Sequence, residues 1–167
     1  MKKTIGILLI LPLLFWGGAR LWKADIVVHA ECGGYMINAA NANTIDLARK
    51  EMEEVVKYID YRHVQPGFTS VVYNTPDEDV GFWVSNMRSS LEELNQVKPE
   101  ATSLEKSNIL IKLRETLTHK TKGGGEVAVP TGISVYPNNF AFMLWGILSF
   151  ILGICGALLF MVGLEDD

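Results

Sequence analysis

Two uncharged apolar runs, residues 4–19 and 140–164, lie near the two ends of this chain and enclose a polar middle segment. A helix needs roughly 20 apolar residues to cross the hydrocarbon core of a bilayer. The second run meets that length without a charged residue, so it predicts a transmembrane helix. We therefore expect an integral membrane protein that holds one domain between two spans.

The first run can be read as a secretory signal or as an uncleaved anchor. It follows Lys2 and Lys3, as the apolar core of a signal peptide does, and residues 17–19 are small enough to be cleaved. Arg20 and the residues after it specify such a cleavage poorly. We therefore expect an uncleaved anchor.

Orientation depends on the charges beside the spans. Lys2 and Lys3 favour a cytoplasmic N-terminus, while Arg20 and Lys23 at the other end of the run partly cancel that bias. We expect both termini in the cytoplasm and the central domain exported, as in a protein of a bacterial inner membrane. Since only residues 165–167 follow the second run, we expect no cytoplasmic output domain on this chain.

Composition limits the classes of partner. The formal net charge is −4, whereas nucleic-acid binding proteins carry concentrated basic faces, so we expect no nucleic-acid partner. Cys32 lies outside the spans and Cys155 lies within the second one. Two cysteines in different layers cannot approach closely enough for a disulfide, so the fold is predicted to need none.

The first part of the middle segment predicts a continuation of the first span. Apolar and small residues recur with helical spacing at Ile26, Ala30, Gly33, Ile37 and Ala40. We expect one continuous helix through this stripe, with Gly33 as a position of close helix packing.

Three further helices are indicated by their caps. Asn43 suits the N-cap of the second helix, and Pro76 suits the first position of the third, after a Thr75 cap and before Glu78. Residues 102–105 form another capping box, which predicts a fourth helix that ends at residue 122.

These elements predict an all-α fold, an up-down four-helix bundle between two transmembrane helices. Strand-forming residues at 68–73 and 133–136 suggest a small β-ribbon near the membrane. The predicted division is an anchor, an exported helical bundle, a linker that begins with three glycines, a transmembrane helix and an acidic tail, at 1–23, 24–122, 123–139, 140–164 and 165–167.

No catalytic or metal-binding pattern stands out. His29, His63 and His119 are not spaced as metal ligands on one helix, and the chain lacks a nucleophile motif. We therefore predict no catalytic residue, no metal site and no cofactor, and expect a protein that is not an enzyme.

The second apolar run carries a candidate interface. Ser149, Gly153 and Ala157 recur every four residues, and small side chains let a second helix approach closely. With Gly33 they form the predicted helix-packing interface. This face can receive the first span of the same chain, or a helix of another membrane protein or of a second copy. Both readings remain open, and membrane lipid is the other expected partner.

In plan, two spans that bracket an up-down bundle resemble the periplasmic sensor modules of bacterial chemoreceptors, although none of that family's sequence motifs is present. Such a plan implies a fold and not an activity. Our leading hypothesis is a membrane-anchored accessory or structural subunit that binds other proteins through its bundle and second span. The alternative is a ligand-sensing module that signals through a separate membrane partner.

Overall fold

The computed structural model describes residues 1–22, 28–70, 74–121, 124–130 and 139–165, most of which are helical. The helices are α1 (Lys2–Leu21), α2 (Gly34–Asn41), α3 (Ile45–Tyr61), α4 (Val80–Asn95), α5 (Ser103–Leu117) and α6 (Phe140–Glu165). A π-helical turn (His29–Gly33) leads into α2, and a 3-10 turn (Pro76–Glu78) precedes α4. The predicted all-α class is confirmed.

A short antiparallel hairpin forms the two-stranded sheet found among the described residues. Strand β1 (Thr118–Thr121) pairs with β2 (Gly124–Val127) directly after α5. The prediction that the fourth helix continues to residue 122 was therefore wrong. Threonines at 118 and 121 favour strand over helix, and the glycines that follow suit a tight reversal. The ribbon predicted from residues 68–73 and 133–136 falls largely outside the described residues.

The starts of α3 and α4 correct two predicted caps. Thr44, and not Asn43, caps α3, because its side chain accepts a 3.3 Å hydrogen bond from the Leu47 backbone N–H. The helix predicted as the third is α4, which begins at Val80 and not at Pro76, and its cap is Asp79. Both differences are local shifts of a helix start.

The capping box predicted at Thr75 does not cap α4, because the side chains of Thr75 and Glu78 bond to each other. The Thr75 hydroxyl donates a 3.0 Å hydrogen bond to the buried Glu78 carboxylate, and no side-chain cap bond forms at the start of the 3-10 turn. One residue later, the Asp79 carboxylate accepts a 3.0 Å hydrogen bond from the Phe82 backbone N–H. That bond satisfies an amide of the first turn, which has no partner within the helix.

The capping box of α5 is confirmed. The Glu105 backbone N–H donates to Thr102 Oγ1 at 3.2 Å, and the Thr102 backbone N–H donates to Glu105 Oε2 at 2.7 Å. Two amides at the helix start are therefore satisfied reciprocally.

The core of the helical domain is apolar. Its buried members come from the π-turn and from all four helices α2–α5, and most are aliphatic or methionine side chains: Cys32, Met36, Ala39, Ala40, Ile45, Ala48, Met52, Val55, Ile59, Trp83, Met87, Leu94, Leu113 and Leu117. On α3 the buried residues recur every three or four positions, which keeps them on one face of the helix.

The stripe predicted at the start of the domain matches the buried face only in part. Gly33 and Ala40 are buried as predicted, whereas Ala30 is exposed and Ile37 is only half-buried. Cys32, Met36 and Ala39, which were not in the predicted stripe, are buried. A π-turn holds more residues than an α-turn and so rotates the following side chains around the helix axis. Whether α1 continues into this segment lies outside the described residues, as does Ile26.

Side-chain pairs define how the helices of the domain adjoin. Helix α2 packs against α3 and α5, and α3 packs against α4. Arg62 at the end of α3 pairs with Glu31 in the π-turn, and Asn38 donates a 3.1 Å hydrogen bond to Glu51 farther along. The π-turn therefore adjoins the end of α3, and α2 adjoins its middle.

Candidate functional site

The two long apolar helices, α1 and α6, pack along each other and form the most extensive helix contact among the described residues. The face of α6 that meets α1 is built from small residues spaced by three, four or seven positions: Gly146, Ser149, Gly153, Gly156 and Gly163. We call this set the glycine seam. Small residues let two helix backbones approach closely, which increases the van der Waals contact between them.

The centre of the glycine seam has no room for side chains. A Cβ placed on Gly6 would lie 2.6 Å from the Gly156 carbonyl oxygen, and one placed on Gly156 would lie 2.6 Å from the Gly6 carbonyl oxygen. Farther along, a Cβ on Gly153 would lie 2.9 Å from Leu13 Cδ2. Glycine at 6 and 156 is therefore a packing requirement, whereas the atom nearest Gly153 is the end of a flexible side chain that can shift.

An aromatic cluster closes the seam where α6 begins. The Trp16 ring covers Gly146, and its Nε1–H donates a 3.0 Å hydrogen bond to the Phe142 carbonyl oxygen. The rings of Trp16 and Phe142 lie 5.5 Å apart, and Trp145 meets Phe142 edge-on. The bond satisfies the indole donor while the ring remains against apolar surface.

At the other end of the seam, α1 begins where α6 ends. A Cβ on Gly163 would lie 3.0 Å from Lys3 Cγ and 3.2 Å from Lys2 Cβ. The C-terminus of a helix carries a partial negative charge, which lysine side chains complement. The pair is therefore antiparallel, with its lysines at the same end as residue 165.

The four residues predicted for the helix-packing interface do not lie together in the structure. Ser149 and Gly153 lie in the glycine seam against α1, so they meet a helix of the same chain. Ala157 is exposed and does not join them, and Gly156 occupies the seam in its place. Gly33 is buried at the end of the π-turn, away from the seam residues in sequence and in packing. The small residues of the seam repeat every seven positions, from Gly146 to Gly153 and from Ser149 to Gly156 and Gly163. The predicted stripe followed a four-residue repeat, so it missed this pattern.

The outer surface of the helix pair is apolar. Both helices are long and apolar enough to cross a membrane, yet only 6% of the α1 window and 22% of the α6 window are buried. The core helix of a soluble protein is mostly buried, so these two differ from it. The outward side chains on α6 include Leu148, Phe150, Ile151, Leu158 and Met161.

Candidate chemical groups in the described part of the chain do not converge. No group of three histidine, cysteine or acidic side chains there is placed to hold a metal ion. Cys32 is fully buried in the core, and burial raises the pKa of its thiol to about 12. His63 lies in the turn after α3, where its backbone has a positive φ of 50°. The side chains of His29 and His119 lie outside the described set.

A shallow cleft lies between α4 and α5. Its cavity volume is about 10 Å³, which suits a single water molecule. The charged groups at its edge, Glu93 and Lys112, pair with each other at 2.7 Å. The charged groups of this cleft are therefore paired with each other, and its volume is too small for a larger ligand.

Comparison with protein-family models, with curated proteins and with solved structures finds no match to this chain.

Proposed function

We propose that this chain is a membrane-anchored, non-enzymatic accessory or structural subunit whose helical domain binds other proteins. The observation that carries the anchoring is the α1–α6 pair, in which glycines face inward and large apolar side chains face outward. Such a surface is costly in water and suits lipid tails, which are as apolar as leucine.

The proposed topology has the helical domain exported from a bacterial inner membrane and both termini in the cytoplasm. Lys2 and Lys3 at the joint end of α1 and α6 support it, because positive residues are retained on the cytoplasmic side. In this reading α2 to α5 form an up-down bundle. The pairs Glu31–Arg62 and Asn38–Glu51 support opposite directions for α2 and α3.

A role in protein contact is favoured over ligand sensing. A sensor needs a pocket with convergent polar groups, whereas the cleft between α4 and α5 is water-sized and its charges are paired. Leu104 and Ile111 lie two turns apart on α5 and are 70% and 53% exposed. Their common outward face supports a contact with another protein.

Purification in mild detergent followed by native mass measurement tests the subunit proposal. We expect a mass above that of one chain, 18.6 kDa, and a lower mass when Leu104→Glu and Ile111→Glu are combined. Lys50→Glu on the exposed side of α3 is the matched control. A wild-type chain that runs alone as a monomer would contradict the subunit proposal.

Topology is tested separately with an introduced cysteine. We expect Glu100→Cys, in the loop between α4 and α5, to react with a membrane-impermeant thiol reagent in intact cells. The background is Cys155→Ala, since Cys32 is buried. Reaction that requires cell lysis would contradict an exported domain.

A further inference from the structure

Both connections to the apolar helices leave the helical domain at one end. Five residues separate Trp22 from Val28, and Val28 packs against the domain core beside the π-turn. The second connection leaves after Val129, which packs against the core. The preceding Ala128 carbonyl oxygen accepts a 2.8 Å hydrogen bond from Trp83 Nε1 near the start of α4. We call this end, which also holds the end of α3, the tethered end.

Chain length limits how far the tethered end can lie from α1. An extended chain spans at most about 3.6 Å per residue, so Val28 lies within roughly 20 Å of Trp22 in any conformation. The polar headgroup layer of a bilayer adds several ångströms beyond its hydrocarbon core. If α1 spans the membrane, the tethered end is therefore within reach of that layer.

The exposed apolar side chains of the domain differ between its two ends. Tyr61, the last residue of α3, is 76% exposed, and Phe82, in the first turn of α4, is 63% exposed. Pro66 approaches Gly81, so the end of α3 adjoins the start of α4. At the opposite end the exposed apolar side chains are the aliphatic Leu47 and Leu104.

Aromatic side chains are enriched where a protein meets the headgroup layer, because one part of the ring is apolar and its surroundings are wet. The domain-facing ends of the apolar helices carry such residues as well, with Trp22 60% and Phe140 57% exposed. The charges beside Tyr61 are balanced, since Arg62 pairs with Glu31 and Asp60 with Arg88. Contact of Tyr61 with lipid would therefore depend on its ring and not on the basic side chains beside it.

We propose that the tethered end rests on the lipid headgroup layer through the aromatic rings of Tyr61 and Phe82. This inference depends on the proposed membrane anchoring, which supplies the bilayer. It also implies that a neutral bilayer suffices for the contact.

Spin labels on the full chain in phosphatidylcholine nanodiscs test the proposal. With Cys155→Ala as background, a nitroxide is attached at Phe82→Cys, and at Leu47→Cys as the matched control on the opposite end. Ile151→Cys, on the outer face of α6, reports anchoring. We expect the ratio of collisions with oxygen to collisions with a water-soluble nickel complex to be severalfold higher at 82 than at 47.

The outcomes separate the two proposals. A lipid-like ratio at 151 together with equal ratios at 82 and 47 would overturn the headgroup contact and leave the anchoring intact. Low collision rates with both reagents at 82 would mean that protein covers Phe82, which also overturns the lipid contact. A water-like ratio at 151 would overturn both proposals. Tyr61→Cys repeats the measurement at an independent exposed position.

Discussion

Arg114 in α5 donates a 2.8 Å hydrogen bond from its guanidinium Nε to the backbone carbonyl of Ala40, in the last turn of α2. Carbonyls in a last turn have no partner within their own helix and attract cations. Arg49 in α3 repeats the arrangement, since its Nη2 donates to the Leu94 carbonyl near the end of α4 at 3.1 Å. Two arginines thus join helix ends across the domain.

Removal of the Arg114 bond should weaken the domain. We expect Arg114→Met to lower the free energy of unfolding by about 1 kcal/mol, the usual net value of one such hydrogen bond. Lys50→Met, an exposed cation of α3, is the control and should have little effect. Urea unfolding followed by circular dichroism in detergent measures both, and equal losses would remove any special role for Arg114.

The cap of α4 should reside in Asp79. Asp79→Ala is expected to cost about 1 kcal/mol, because the Phe82 amide loses its acceptor. Asp77→Ala removes an exposed carboxylate two residues earlier and serves as the control. The same unfolding measurement distinguishes them, and a loss at Asp77 as large as the loss at Asp79 would contradict Asp79 as the cap.

The capping box of α5 should depend on pH. Hydrogen bonds from the Thr102 backbone N–H and then from its hydroxyl lower the pKa of Glu105. A carboxyl group whose pKa is lower in the folded state stabilises the fold above its unfolded pKa of about 4.3. That contribution is lost as pH falls through the folded pKa. Glu105→Gln keeps an acceptor without the charge, so its stability should change less with pH between neutrality and acid. Identical pH profiles for the two proteins would contradict this account.

Cys32 should be unreactive in the folded protein. Burial excludes reagents and raises the pKa of the thiol to about 12, so little thiolate exists near neutral pH. In a Cys155→Ala chain we expect negligible maleimide labelling in mild detergent and complete labelling after denaturation, as measured by mass spectrometry. Rapid labelling of the folded chain would show that the π-turn opens readily.

A designed disulfide can test the glycine seam. A Cβ on Gly153 would lie 3.7 Å from Leu13 Cβ, close to the separation found in disulfides. In a Cys155→Ala background we expect Leu13→Cys with Gly153→Cys to form an intramolecular disulfide, seen as a shift on non-reducing gels. Leu13→Cys with Ala157→Cys is the control, since Ala157 points away. Efficient bonding in the control alone would invert the assigned face.

Signals contained within a few residues were readable from sequence, and signals that depend on tertiary contact were not. The uncharged run at 140–164 and the box at Thr102 are complete in themselves, and both were located correctly as helices. Thr75 carries the same box pattern, but its hydroxyl donates to the Glu78 carboxylate, and Asp79 caps the helix instead. No residue pattern predicts the π-turn, so the sequence analysis did not predict that Cys32, Met36 and Ala39 are buried.

The face of α6 shows the same limit. Every small residue on a long apolar helix is a candidate for packing, and only the partner helix decides between a four-residue and a seven-residue repeat. Leu13 and Gly6 in α1 select Gly153 and Gly156. Ala157 fits the simpler pattern equally well but is exposed.

Because Lys3 lies against Gly163, the start of α1 and the end of α6 emerge side by side. Two halves of a split fluorescent protein fused at these positions would be held at high effective concentration by a single molecule. Their complementation would then report that the two helices have paired within one chain. Replacement of Gly156 by a bulky residue would separate the halves and extinguish the fluorescence.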